Sequence, residues 1–251
     1  MERETEQSGS AAESGQALVE AALSLPLMLF CVLWALQLFL LLQARLLAEY
    51  AVYRAVRAGS LNHGDCRAMT HAAVLAVLPA IARTDGPDAL ATAWERRRTN
   101  RYDARYDAHD GQIIELWREQ PRAPSVAAPE DLHFDQPSTS TVDHLVRIEA
   151  RMVFWVRLKV PFVDWVLTRA FLAYWGLKPY DAVNPLMPVQ TASWQQASQP
   201  PRWPGGDLGD QMLRWSEQGH YLFPIQTNFG MRMMTPAKKQ YWPGAMQGCP
   251  L

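Results

Sequence analysis

From Leu23 to Leu42 every position is apolar except Ser24, Pro26 and Gln37, and roughly 20 such residues in a helix cross the hydrocarbon core of a bilayer. No glycine occurs between Gln16 and Ala58, and after Pro26 no proline does. The helix is therefore expected to run from about Ala17 through Ala58. At 1.5 Å per residue it reaches about 60 Å, twice the bilayer core, so its second half must stand in water or against a soluble domain. In that half Leu46, Leu47, Tyr50, Ala51, Tyr53, Ala55 and Val56 are expected to crowd one side, with Arg45, Glu49, Arg54 and Arg57 interspersed, as in a packed amphipathic helix.

The segment Gly15-Gln16-Ala17-Leu18-Val19-Glu20 leads into this stretch and sets a carboxylate at its threshold, where an unpaired charge is costly. Glu2, Glu4, Glu6 and Glu13 against Arg3 give the first 14 residues a net charge of −3. A secretory signal needs a basic start, a short apolar core and a small-x-small cleavage site. None of these is present, so the span is expected to stay attached as a single-pass anchor over about residues 23–42. Arg45, Arg54 and Arg57 after the span outnumber Arg3 before it, which by the positive-inside rule alone would hold the large domain in the cytoplasm.

Beyond the helix, Gly59 to Gly64 reads as a turn, with Asp65 capping a helix through Ala82 and Pro87 opening a short one that ends near Arg98. Pro121, Pro124, Pro129 and Pro137 mark residues 99–141 as a loop region, with a short strand around Ile113 to Trp117. From Val146 to Val160 every even position is apolar, while Arg147, Glu149, Arg151, Arg157 and Lys159 stand at odd ones. That is the period of a strand with one buried and one wet face. A helix over Asp164 to Trp175 and a Pro-rich loop over Lys178 to Gly206 follow. Tyr221 to Met234 alternates again and is expected to pair antiparallel with the first strand, Pro224 marking an edge or a start and Gly230 a bulge. The fold class is α+β: a long N-terminal transmembrane spine and a small domain of helices on an antiparallel sheet. The divisions are 1–15, a leader; 16–58, the spine; 59–98, helical; 99–141, loop; and 142–251, the strand region with its Pro- and Trp-rich insertion.

Little in the chain speaks for chemistry. The net charge of −1 gives no electrostatic ground for nucleic acid. Zincin, nucleophile-elbow, dinucleotide and phosphate-loop motifs are absent, as is C-x-x-C. Asp103, Asp107 and Asp110 before Gly111 mimic a calcium loop, but that register puts Tyr106, Ala108 and Trp117 at ligand positions, so a solvated polar loop is expected. The six histidines lack metal spacing and read as surface or satisfied core residues. The repeat Arg101-Tyr102-Asp103-Ala104, Arg105-Tyr106-Asp107-Ala108 is too short for a solenoid. No catalytic residue, metal or cofactor is expected. Cys31 lies in the apolar span as a small hydrophobe. Cys66 and Cys249 either pair, in an oxidising compartment, or remain two free thiols.

A glycine, four mainly neutral residues, a glutamate and an apolar helix that runs on into a soluble domain resemble the N-terminus of type IV pilins and pseudopilins. Gly15 through Leu27 resembles the opening of TadE-like pseudopilins of the tight-adherence (Flp) pilus, and Ala44 to Ala51 and Arg54 to Gly59 are similar to that family too. The resemblance covers residues 15 to 60; the leader is acidic where a basic one is usual, and Ala21 stands where the family often has an aromatic. It implies that a prepilin peptidase cuts between Gly15 and Gln16, leaving Glu20 as fifth residue to pair with a neighbouring subunit's α-amino group. It also implies pilin-like subunits and the pilus assembly platform as partners, and an inner-membrane anchor with a cytoplasmic leader and a periplasmic domain, against the charge rule. The function expected is that of a non-enzymatic minor pseudopilin in pilus assembly or a related secretion apparatus. The alternative is an uncleaved, signal-anchored extracytoplasmic binding protein.

Overall fold

One helix, α1 (Glu6–Leu61), carries both the apolar span and the platform on which the rest of the chain is built. The structure, a computed structural model, describes residues 6–107, 109–121, 147–174, 208–242 and 248–249. The Lys178–Gly206 loop lies outside them, as do His133, His144 and most of the prolines of the 99–141 region. Helices α2 (Cys66–Ile81), α3 (Pro87–Arg97) and the single turn α4 (Ala104–Asp107) come next, then strands β1 (Ile114–Gln120) and β2 (Arg147–Arg157). Helices α5 (Val163–Tyr174) and α6 (Leu208–Glu217), strand β3 (Leu222–Arg232) and a 3-10 turn at Lys239–Tyr241 complete the described elements. The architecture is α+β, as the periodicities require.

The three strands form one antiparallel sheet in the order β1-β2-β3. On β2 the even positions Ile148, Ala150, Met152, Phe154 and Val156 are buried against α1 and α2. The opposite face is only half wet. Arg147 and Arg157 are exposed and Arg151 pairs with Glu119, but Val153 and Trp155 are buried under Leu172 of α5 and Met212 of α6. The expectation of a wholly wet odd face fails because these two helices return across that end of the sheet. Helix α6 had a sequence signal, Leu208, Met212 and Trp215 at helical spacing, in a segment that the sequence reading passed over.

Three further differences have simple causes. Pairing along β2 and β3 continues through Glu149↔Gly230 without a shift, and the irregularity lies in β1 between Arg118 and Gln120. At Gly230 a Cβ would come to 3.0 Å from Glu149 Cγ, a close approach to the facing strand. The short strand expected around Ile113 to Trp117 is present as β1 but runs on to Gln120, because it pairs with β2 from Ile114↔Phe154 onward. The helix does not stop at Ala58: α1 continues to Leu61, and Gly59 is a packing residue, since a Cβ there would lie 2.7 Å from Met69 Sδ and 2.8 Å from Ile148 Cδ1.

Burial also reassigns the packed face of α1. Ala44, Ala48, Ala51, Val52, Ala55 and Val56 face the core, while Leu46 and Tyr50 point outward, 59 % and 48 % exposed. Spacings of three and four put these small side chains on one stripe, where they admit α2 and the sheet at close range.

Candidate functional site

The bare half of α1 is the surface through which this chain can meet a membrane or other helices. No residue from Leu18 to Leu36 is buried, and the first buried residue after Leu18 is Gln37, 1 % exposed. Those 19 residues extend about 28 Å at the helical rise, close to the thickness of a hydrocarbon core. Leu23, Leu25, Leu27, Met28, Leu29 and Val32 all stand more than half exposed along it, and α1 is the only described helix long and apolar enough to cross a membrane.

Gln37 marks where the soluble domain takes hold. Its Oε1 accepts the backbone N–H groups of Lys159 at 3.2 Å and Val160 at 3.0 Å, just after β2 ends. Leu41 then packs against the core. The folded domain therefore engages α1 within the last six residues of the stretch expected to span at 23–42, at Gln37 and Leu41. Sequence reasoning treated Gln37 as an interruption. The available signal was that an amide in an apolar helix needs a partner. Above it, a cleft of about 460 Å³ lies between α1, Pro79 and the end of β2.

The residues singled out from sequence lie far apart. Gly15 and Gln16 belong to α1, which begins before them at Glu6. Glu20 is exposed and sits 17 residues before Gln37, about 25 Å down the axis. Cys66 and Cys249 lie beyond the opposite end of α1 and form a disulfide, Cα–Cα 5.1 Å, across 183 residues of chain. That bridge secures the C-terminal segment, whose Cys249 N–H donates to Leu116 O at 2.8 Å and whose Gly248 bridges Trp117 at the free edge of β1. The same region holds Arg118, 2 % exposed, which donates to Gly64 O (2.7 Å) and Tyr241 O (2.8 Å). Its guanidinium lies 3.7 Å from the centre of the Trp242 ring. Burial lowers its pKa to about 10, leaving it charged at neutral pH. Gly64 has φ +81°, and a Cβ there would meet Trp242 at 2.7 Å.

The acidic loop is not solvated throughout. Asp107 is 9 % exposed and accepts twice from Arg97 Nη2, at 3.0 and 2.9 Å. The two copies of the microrepeat diverge: Tyr102 is buried with its hydroxyl donating to Trp155 O at 2.5 Å, whereas Tyr106 is exposed beneath Arg96. Beside Tyr102, His109 is 6 % exposed, with Nε2 unpartnered and the His220 ring 5.8 Å away. Among the described residues no three His, Cys, Asp or Glu side chains converge on a point.

Burial, with a smaller contribution from His220, lowers the His109 pKa from 6.5 to about 4. In the unfolded chain it takes a proton below about pH 6.5, and in the folded chain only near pH 4. Folding stability that is complete above pH 6.5 is therefore lost as pH falls to 4, by about 3 kcal/mol. Denaturant titrations of the detergent-solubilised chain should show this loss, and His109→Gln should remove it; an equal slope in the variant would assign the loss elsewhere.

Residues 15–57 match the model of the family described as TadE-like protein. No curated protein and no solved structure matches the chain. The matched segment runs from Gly15 through the bare half of α1 and most of the docked half, and ends before the sheet begins. The resemblance seen at Gly15 to Glu20 thus extends over residues 15–57, where the chain is similar to the TadE-like family.

Proposed function

We propose that this chain is a non-enzymatic minor pseudopilin that takes part in assembly or regulation of a tight-adherence pilus, or a related secretion apparatus, by helix packing. The observation that carries the proposal is the bare apolar half of α1 from Leu18 to Leu36, within the TadE-like segment and outside the folded domain. Before assembly this surface lies in lipid; in assembly, neighbouring pilin-like helices replace the lipid. Glu20 supplies the charge that sets the axial stagger by pairing with the α-amino group of an adjacent subunit. The domain, held to the spine at Gln37, stands on the periplasmic side of the inner membrane.

The role requires removal of residues 1–15 between Gly15 and Gln16. Intact mass of the membrane-extracted chain, expressed with and without a prepilin peptidase, is expected to fall by the mass of those residues only when the peptidase is present. An intact N-terminus in both, under conditions that process another prepilin, would favour the signal-anchored binding protein.

A further inference from the structure

We infer that the turn joining β2 to α5 is a second membrane contact, seating the domain on the bilayer through Phe162 and Trp165. The inference rests on reading α1 as the span. The backbone of Lys159 and Val160 is bonded to Gln37, the residue at which α1 leaves the bare segment. Phe162 follows two residues later and Trp165 lies in the first turn of α5. The turn is thus fixed at the edge of the span, on the side where the domain begins.

Its side chains suit a headgroup region and little else in the fold. Phe162 is 75 % exposed and Trp165 49 %. Phe162 also has φ +67°, a left-handed conformation that bulky L residues rarely adopt. Such a conformation usually persists where something is gained from it, and with three-quarters of the ring uncovered, internal packing gains little. The conformation holds the ring outward. Around it, Lys159 is exposed, its Nζ donating to Ala80 O at 3.1 Å, and the Arg169 guanidinium lies 5.8 Å from the Trp165 ring. Asp164, the one carboxylate in the turn, accepts the Trp165 N–H at 2.7 Å. Aromatic rings with flanking cations at the end of a span are the composition that settles at lipid headgroups. The occupant is phospholipid, because the turn is continuous with a surface already in the bilayer.

The test uses the full chain in phospholipid vesicles, with an environment-sensitive fluorophore on one thiol and nitroxide quenchers at the headgroup or deep in the acyl chains. Cys66 and Cys249 are bridged, so Cys31 is the one native thiol to label. In Cys31→Ser backgrounds, Phe162→Cys and Trp165→Cys report the turn, each leaving the other aromatic in place. Leu61→Cys, 24 residues beyond Gln37 and about 36 Å up the helix, reports water. The expected result is deep quenching at Cys31, and headgroup quenching at 162 and 165 severalfold above that at 61. Quenching at Cys31 with 162 and 165 as unshielded as 61 would overturn the inference and leave the anchor intact. No quenching at Cys31 would remove the span and the inference together. Shielding at 162 that disappears on dilution of protein in lipid would also overturn it, by assigning the turn to a second copy of the chain.

Discussion

Gln37→Leu should destabilise the attachment of the domain to its helix by about 2–4 kcal/mol. The magnitude follows from the two amides it strands. Val160 N–H is buried and would bear the full cost of an unmade hydrogen bond, while Lys159 N–H is half-buried and can recruit water, and each such loss is worth about 1–3 kcal/mol when solvent cannot compensate. Leucine fits an apolar helix at least as well as glutamine, so the loss cannot be charged to the helix itself. Hydrogen exchange at the Lys159 and Val160 amides is the direct readout, with protection expected to fall by at least tenfold in detergent. Leu38→Ala, at a neighbouring exposed position, is the control and should change stability by no more than about 0.5 kcal/mol. Equal protection in the Gln37 variant and the parent would show that the domain is held by the alanine stripe alone.

Glu20→Leu should leave the fold untouched and abolish co-assembly with pilin-like subunits. Glu20 stands about 25 Å along the helix from Gln37, so the substitution does not reach the core. If its carboxylate pairs with an α-amino group across an apolar interface, removing it leaves that charge buried, at a cost of about 3–5 kcal/mol. That corresponds to a loss of at least about a hundredfold in association. Recovery of the variant with its partners by crosslinking in membranes, beside unchanged processing and thermal unfolding, is the measurement. Undiminished crosslinking would place Glu20 among the headgroups and take the stagger away from it.

Much of this architecture was legible because local patterns had a single physical solution. Alternation from Ile148 to Val156 admits a strand and no helix, Asp65 and Pro87 mark helix starts by their hydrogen-bonding chemistry, and the long run free of breakers demands α1. The features that escaped depend on what covers what. Val153 and Trp155 read as one wet face until α5 and α6 are laid over them. Gly59 reads as a breaker until the distance to Met69 is known, and Asp107 as a loop carboxylate until Arg97 is beside it. Leu46 and Tyr50 look like core residues by character, but the domain packs against the alanines instead because small side chains permit closer approach.

The candidate site divides the same way. Sequence alone determined that this chain has an N-terminal helix long and apolar enough to span a bilayer, that a carboxylate stands at its threshold and that the helix is longer than a bilayer core, because hydropathy and helical rise are properties of consecutive residues. Tertiary structure decided where on that helix the folded domain begins. That boundary is set at Gln37 by two backbone amides from residues more than a hundred positions away, and no local pattern specifies a hydrogen bond whose donors arrive from another part of the fold.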